Sequence, residues 1–292
     1  MERGAVAVTA TGTLYLVSTP IGNLADFTYR AVDVLGSCDT ILAEDTRRTR
    51  ILLDHYQIVP RAIKSLHKHN EAARTEEMCE LLASGGSVAL VSDSGTPLVS
   101  DPGARLVRAA IEKGARVVPV PGPSAVLAAL VACGFEPEPF SFFGFPPRSG
   151  RARRELMAGL AQLRHTAVMF ESPQRLVATL EELGAVLGEE RSVAVARELT
   201  KLHEEVVRGT LHEVAAYYRE QPPRGEVVLC LDGAGDSASS EEVLKEAMAA
   251  ARAMVRDGAT SKQIVQTLRD RFGLDRNRAY AMALEAAEEE KS

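Results

Sequence analysis

Short apolar runs alternate with helical patterns along the first part of the chain, and this alternation most limits the possible fold. Strands are predicted at 13–17, 40–43, 62–65, 87–91 and 116–119. Helices are predicted between them, at 28–35, 45–55, 71–83 and 103–113. Strands that alternate with helices form parallel sheets covered by helices, so residues 1–120 are expected to form an α/β domain.

A second series of strands follows the proline-rich turn at 119–123. They are predicted at 140–145, 167–170, 193–197, 205–208 and 227–231. Helices are predicted at 125–133, 151–163, 174–183 and 211–219. Two of the strands adjoin with no helix between them, which indicates a mixed sheet. A second α/β domain is therefore predicted over residues 121–234.

The last part of the chain has a different character. Residues 233–240 are small and polar, which is typical of a linker. Three helical patterns follow, at 241–256, 260–271 and 276–290. Short turns separate them, so residues 241–292 are expected to form a small all-helical module that resembles a helix-turn-helix.

The composition limits which kinds of protein this chain can be. A chain of 292 residues with 46% apolar content can build two buried cores, and its net charge of −6 restricts any RNA contact to local basic patches. The four cysteines lie far apart, which favours buried thiols over a zinc site or disulfides. The uncharged stretch 117–135 is interrupted by prolines, and the first residues lack a secretory signal pattern. A cytoplasmic protein with no membrane contact is expected.

Loops that follow parallel strands are the expected ligand sites, because they lead into helix N-termini. Three such loops stand out, at 18–23, 93–97 and 121–124. In the second, Asp93 can accept hydrogen bonds from a ligand and Gly95 allows its close approach, although a simple turn is the alternative. Asp101 is expected only to cap the next helix. None of the loops fits a dinucleotide fingerprint or a phosphate-binding P-loop.

Eight motifs occur in order between Leu16 and Cys230: LVSTPIGNLAD, AEDTRRT, LVSDSGTPLVSDPG, VPVPGPSA, FFGFPPR, FESPQRL, RELTKLHEE and GEVVLC. Together they resemble the tetrapyrrole methylase superfamily and, more narrowly, its branch that methylates ribosomal RNA. The first loop differs from the glycine-rich VGxGPGD of the porphyrinoid-modifying branch, and the acidic loop differs from the GDP-type turn found there. Both differences favour the RNA branch.

The resemblance implies a two-domain tetrapyrrole-methylase-like fold whose cleft holds S-adenosylmethionine. It also implies a homodimer that 2′-O-methylates a cytidine, cytidine 1402, in the decoding region of 16S rRNA, on bare RNA or on the small ribosomal subunit. The residues expected to bind the cofactor are Pro20, Gly22, Asp93, Ser94, Gly95, Thr96, Ser124, Ala125, Phe170 and Glu171.

Methyl transfer to a ribose hydroxyl requires alignment and a proton acceptor, but no metal. Glu44 and Lys201 are the candidate catalytic residues. Glu44 and Asp45 could equally begin a helix, where acidic groups are favourable. Lys201 could act as a base if its pKa were lowered, but a lysine among several glutamates is more often a member of a surface ion pair.

Contact with RNA is expected from exposed cationic groups near these motifs: Arg47, Arg48, His67, Arg148, Arg151 and Arg154. Arg153, in the same cluster, is assigned the same role, and a solvated helix start is the alternative. His67 and His69 suggest a metal pair, but no further ligand lies nearby in the sequence, so no metal is expected.

Two other functions remain open at this stage. A tetrapyrrole C-methyltransferase predicts the glycine-rich first loop and no helical tail. A non-enzymatic regulator predicts duplex binding through the helix pair within residues 260–286, unaffected by S-adenosylmethionine.

Overall fold

The structure is a computed structural model that describes residues 11–234, 240–272, 274 and 276–289. One compact unit runs to Ala161 and resumes over His165–Asp232, and it contains two five-stranded sheets. A second compact unit contains Gln162–Arg164 and the described residues from Gly233 onward.

The first sheet is entirely parallel, in the order β3-β2-β4-β1-β5. Its strands are β1 (Thr13–Val17), β2 (Thr40–Ala43), β3 (Ile63–Ser65), β4 (Ser87–Val91) and β5 (Arg116–Val120). Its helices are α1 (Tyr29–Ser37), α2 (Thr46–His55), α3 (Glu71–Ala83) and α4 (Ala104–Glu112). The predicted parallel α/β arrangement is confirmed.

Both faces of this sheet are covered. Successive residues of β4 belong to different cores: Ala89 and Val91 pack with α1 and α2, whereas Val88 and Leu90 pack with α3 and α4. Because side chains alternate along a strand, burial on both faces requires the continuous apolar runs seen in the sequence.

The second sheet has the order β6-β7-β10-β8-β9 and is mixed, as predicted. Its strands are β6 (Phe140–Phe142), β7 (Thr166–Glu171), β8 (Ser192–Arg197), β9 (Glu205–Thr210) and β10 (Val227–Leu231). Its helices are α5 (Ala125–Cys133), α6 (Gly150–Gln162), α7 (Leu176–Leu187) and α8 (Leu211–Glu220). Only β6 and β7 pair in parallel, and α5 packs on one face of the sheet.

The prediction for β6 was too long. The strand ends at Phe142 rather than at Phe145, because Gly144 turns the chain at a φ of 64° and two prolines without amide hydrogens follow. All four cysteines are buried free thiols, as expected.

The second unit contains α9 (Ser240–Arg256), α10 (Ser261–Phe272) and α11 (Arg276–Glu289). Thr260 and Gln263 cap the start of α10 reciprocally. The backbone amide of Gln263 donates to Thr260 Oγ1 (3.4 Å), and the backbone amide of Thr260 donates to Gln263 Oε1 (2.9 Å). The three helices share a small core that includes Ala251, Ile264 and Leu268. Part of the sequence-predicted linker lies outside the described residues, as does the end of the last predicted helix.

Candidate functional site

Loops from four strands meet at the carboxyl edge of the parallel sheet. Residues 18–23 follow β1, Glu44 and Asp45 follow β2, residues 92–103 follow β4 and residues 121–124 follow β5. The first and third loops are joined by a short antiparallel bridge, in which the amides of Thr19 and Gly95 each donate to the other's carbonyl at 2.9 and 3.1 Å. This edge therefore presents one continuous surface rather than separate turns.

A cavity of about 370 Å³ opens between this edge and the second sheet. The first sheet contributes its polar side, which consists of Ser92, Asp93, Ser94, Gly95, Thr96, Ser100 and Asp101. The apolar side consists of Val99, Ala125, Val126, Phe145, Phe170, Val227 and Val228. Ser124, Glu171, Ser172, Pro173, Gly225 and Glu226 complete the lining. A cavity of this size with one apolar side and converging hydroxyls and carboxylates suits a small organic ligand.

The loop after β4 holds unusual backbone conformations beside this cavity. Leu98 and Ser100 have φ values of 73° and 75°, in the left-handed region that side chains disfavour. Each such residue costs on the order of 1–3 kcal/mol, and such residues cluster at functional sites. The loop is therefore shaped for the cavity at some expense of stability.

Asp101 does not cap α4, contrary to the sequence-based expectation. The N-cap is Gly103, two residues later, and its amide donates to Glu71 Oε1 at 3.0 Å. Asp101 instead lines the cavity and accepts a 2.5 Å hydrogen bond from Ser92 Oγ. Burial raises the pKa of Asp101 and the charge of Asp93 adds to this, whereas the Ser92 hydrogen bond opposes it.

Asp93 connects the loop after β4, residues 92–103, to the start of α2 through hydrogen bonds. Its Oδ1 accepts from the Asp45 amide at 3.0 Å, and its Oδ2 lies 3.4 Å from Arg48 Nη1. Asp45 is the N-cap of α2, so the helix-start interpretation holds for that residue. Hydrogen bonds from the Arg47 side chain and amide lower the pKa of Asp45 to about 2.

Glu44 lies beside the cavity rather than in its lining. It shares a smaller pocket with Asp101 and Pro97, and the residue as a whole is exposed. Partial burial of the carboxyl, followed by the negative charges of Asp101 and Asp93, raises the pKa of Glu44. A raised pKa makes its carboxylate a better proton acceptor.

Lys201 forms two ion pairs, with Glu198 Oε1 at 2.7 Å and with Glu226 Oε2 at 3.2 Å. Burial acts to lower its pKa, but the two carboxylates outweigh burial and the pKa of Lys201 is raised. A base would require the opposite shift, so this environment favours the ion-pair interpretation of Lys201.

Two of the expected cofactor residues, Pro20 and Gly22, belong to the described part of the chain but lie outside the cavity lining. A Cβ on Gly22 would collide with Lys201, and the neighbouring Asn23 amide donates to Thr200 Oγ1 at 3.0 Å. Gly22 thus allows the β1 loop to approach residues 198–204 closely.

Gly95 lies in the lining, but its φ of 82° and its closeness to Ile21 explain the glycine there. A Cβ at Gly95 would lie 3.2 Å from Ile21 Cγ2. A substitution of Gly95 would therefore disturb the loop itself, whether or not a ligand is bound.

The expected RNA-binding residues differ in their surroundings. Arg148, Arg151 and Arg154 are exposed around the start of α6. Arg47 and Arg48 are exposed and pair with Asp45 and Asp93, and His67 is half-buried.

The prediction that Arg153 contacts RNA is wrong. It is only 8% exposed and bonds to groups within the fold, so it is not available to RNA.

Several lining residues were not expected from the sequence: Val99, Ser100, Asp101, Phe145, Gly225, Glu226, Val227 and Val228. The register of the second sheet explains the last four. Val227 lies opposite Glu171, so the start of β10 adjoins the end of β7. The conspicuous FFGFPPR motif was the available signal for Phe145.

Among the residues that the structure describes, no three His, Cys, Asp or Glu side chains converge as metal ligands. Within the same residues, no helix is long and apolar enough to cross a membrane.

Comparison with known proteins identifies relatives over nearly the whole chain. The family described as Tetrapyrrole (Corrin/Porphyrin) Methylases matches residues 13–215. The ribosomal RNA small subunit methyltransferase I of Synechocystis sp. is 45% identical over 277 residues, which cover 94% of this chain and 98% of the relative. The protein of the same name from Escherichia coli O157:H7 is 40% identical over 287 residues, with coverage of 98% and 99%.

Solved structures with the same fold are more distant. Uroporphyrin-III C-methyl transferase from Thermus thermophilus, complexed with S-adenyl homocysteine, has a TM-score of 0.55 at 20% identity and covers 76% of this chain and 97% of its own. A cobalt precorrin-4 methyltransferase has a TM-score of 0.56 at 19% identity, with coverage of 75% and 94%. These two structures support the fold alone.

Proposed function

Because the chain belongs to the tetrapyrrole methylase family, among the ribosomal RNA small subunit methyltransferases I, we propose that it 2′-O-methylates a cytidine of 16S rRNA. The methyl donor is S-adenosylmethionine, and the cytidine is the one at position 1402, in the decoding region. The strongest support for this proposal is the cavity at the carboxyl edge of the parallel sheet, since five of the eight motifs that resemble the family contribute residues to its walls.

The cavity lining fits the cofactor chemically. S-adenosylmethionine has an aromatic base, a ribose with two hydroxyls and a charged amino-acid end. Phe145 and Phe170 offer an aromatic surface, whereas Asp93, Ser94 and Thr96 offer hydrogen-bonding groups. When bound, the cofactor supplies an electrophilic methyl group.

We assign proton removal from the ribose hydroxyl to Glu44. Bound S-adenosylmethionine would supply the methyl group to the 2′-oxygen and keep the electron pair of the broken carbon–sulfur bond, and the Glu44 carboxylate would accept the hydroxyl proton. Partial burial of the Glu44 carboxyl, together with the negative charges of Asp101 and Asp93, raises its pKa and makes its carboxylate a stronger base. Lys201 keeps a structural role in this scheme, holding Glu226 at the cavity rim through their ion pair.

RNA is held by cationic groups around the cavity and by the helical module. Arg47, Arg48 and His67 lie on loops and helix starts at the carboxyl edge, and Arg148, Arg151 and Arg154 surround the start of α6. Residues 241–292 add further basic side chains that contact phosphates without reading the sequence.

The proposal includes a cytoplasmic homodimer that requires no metal. Leu127 and Val131, on one face of α5, are 53% and 78% exposed, and an apolar face of this kind suits burial against a second copy.

Methyl transfer to small ribosomal subunits that lack the modification tests the proposal, with a porphyrinoid acceptor in a parallel reaction. Label from S-adenosylmethionine in the rRNA alone supports it. Label in the porphyrinoid alone would favour a C-methyltransferase and contradict it.

A further inference from the structure

The segment that follows β6 stays hydrogen-bonded to β7 as far as Gly144, and the next residue, Phe145, carries an aromatic side chain to the cavity. Phe145 lines the cavity and is 58% exposed, and Pro146 and Pro147 follow it. Prolines have no amide hydrogen, so the backbone of these two residues can form hydrogen bonds only through its carbonyls.

Two guanidinium groups provide that anchoring. Arg175, just before α7, donates from Nη2 to the Pro146 carbonyl at 3.1 Å. Arg153, on α6, donates from Nη1 to the Pro147 carbonyl at 2.9 Å. Consecutive carbonyls are thus held by side chains from two different elements.

Both guanidiniums are themselves fixed from within the fold. Glu171 is 2% exposed, and its Oε1 accepts from Arg175 Nε at 2.8 Å. Thr179 Oγ1 donates to Glu171 Oε2 at 2.7 Å and accepts from Arg153 Nη2 at 3.1 Å. The carboxylate that the sequence suggested for cofactor binding is therefore occupied within this network, which extends from Glu171 to the proline carbonyls.

Three aromatic side chains pack against one another next to this network. The ring of Phe145 lies 5.3 Å from that of Phe170, at an interplanar angle of 55°. Phe170 in turn packs edge-on against Phe142, and the Gly144 carbonyl accepts from the Phe170 amide at 2.9 Å. Phe170 is thus fixed by the sheet, whereas Phe145 lies between the last ladder hydrogen bond, at Gly144, and the anchored carbonyls of Pro146 and Pro147.

We propose that Arg175 is a positioning residue for cofactor binding, which acts through Phe145. By holding the Pro146 carbonyl, Arg175 sets the Phe145 ring as the wall on which the adenine of S-adenosylmethionine stacks. This inference rests on the proposed function, since it requires the cavity to bind that cofactor.

The test is a double-mutant cycle in the full chain, with calorimetric titration of S-adenosylhomocysteine. Arg175→Lys keeps a cation for Glu171 but loses the planar guanidinium, which also donates to the Pro146 carbonyl. Phe145→Leu keeps an apolar side chain but loses the ring. Each change is expected to weaken affinity about three- to tenfold, the range of one aromatic contact. The double variant is expected to lose no more than Phe145→Leu alone, because Arg175 acts through that ring.

Arg219→Lys is the matched control, since Arg219 pairs with Glu181 on the surface and should leave affinity unchanged. If Arg175→Lys does not fold, Glu171→Gln combined with Arg175→Gln takes its place, because a neutral pair leaves no unpaired buried charge. Additive losses, or unchanged affinity in the folded variants, would overturn the inference while leaving the proposed function intact. Failure of the wild-type protein to bind S-adenosylhomocysteine would overturn both.

Discussion

Thr179 offers the sharpest test of the buried network that supports the cavity. Its side chain is 1% exposed, and its hydroxyl bridges the Glu171 carboxylate and the Arg153 guanidinium. Thr179→Val keeps the shape of the side chain but removes both hydrogen bonds. It leaves one carboxylate oxygen and one N–H group of a guanidinium without a partner.

The expected loss follows from these two bonds. Hydrogen bonds to charged groups contribute roughly 1.5–3 kcal/mol each, and the additional methyl of valine regains up to about 0.8 kcal/mol. Thr179→Val should therefore lower the free energy of unfolding by about 2–5 kcal/mol. Thr179→Ser, which keeps the hydroxyl and loses a buried methyl, should lower it by only about 1 kcal/mol.

Urea unfolding followed by circular dichroism measures both variants against the wild type. The decisive quantity is the difference between valine and serine at position 179, because both variants perturb the same site. If valine costs no more than serine, the hydroxyl does not couple the two charged groups and the network has been misinterpreted.

Three further predictions concern the site and the tail. Glu44→Gln should lower turnover by about 10²–10⁴-fold at unchanged affinity for S-adenosylhomocysteine. Wild-type activity should rise with pH as Glu44 ionises through its raised pKa, and the variant should lack this rise. Near-normal turnover in the variant would mean that alignment of the substrates alone suffices. Asp101 has a raised pKa, so the folded state loses stability as the pH rises and this carboxyl ionises. The free energy of unfolding of Asp101→Asn, relative to that of the wild type, should therefore increase from pH 4 to pH 7. A difference independent of pH would contradict the raised pKa of Asp101. Removal of residues 241–292 should leave cofactor binding and the dimer intact but weaken rRNA binding and flatten its salt dependence. Filter binding at several salt concentrations measures both effects. An unchanged affinity for rRNA and an unchanged salt slope would make the helical module purely structural.

The sequence predicted the elements of the first sheet because their signals are local. Strands buried on both faces need continuous apolar runs, and β2 and β4 have them. The order of the strands in the sheet depends on pairing between distant segments, for which a single sequence carries no signal.

The same distinction applies to the site. Asp93 and its neighbours were found because they directly follow a strand that the sequence reveals. Glu226 and Val227 reach the cavity only through the register of β10 against β7, and Asp101 through the turn at Gly103. One of the carboxylates that raise the pKa of Lys201 belongs to Glu226, which immediately precedes β10, so the sequence could name the lysine but not the direction of its pKa shift.

The position of the transferred methyl group distinguishes 2′-O-methylation of 16S rRNA from the alternative reactions. Small ribosomal subunits that lack the modification would be incubated with labelled S-adenosylmethionine and either the wild-type protein or Glu44→Gln, and the rRNA would then be mapped by primer extension and mass spectrometry of its nucleosides. We expect a single labelled 2′-O-methylcytidine in the decoding region, formed by the wild type and greatly reduced in the variant. Label on a base rather than on the ribose, or no label in 16S rRNA, would contradict it.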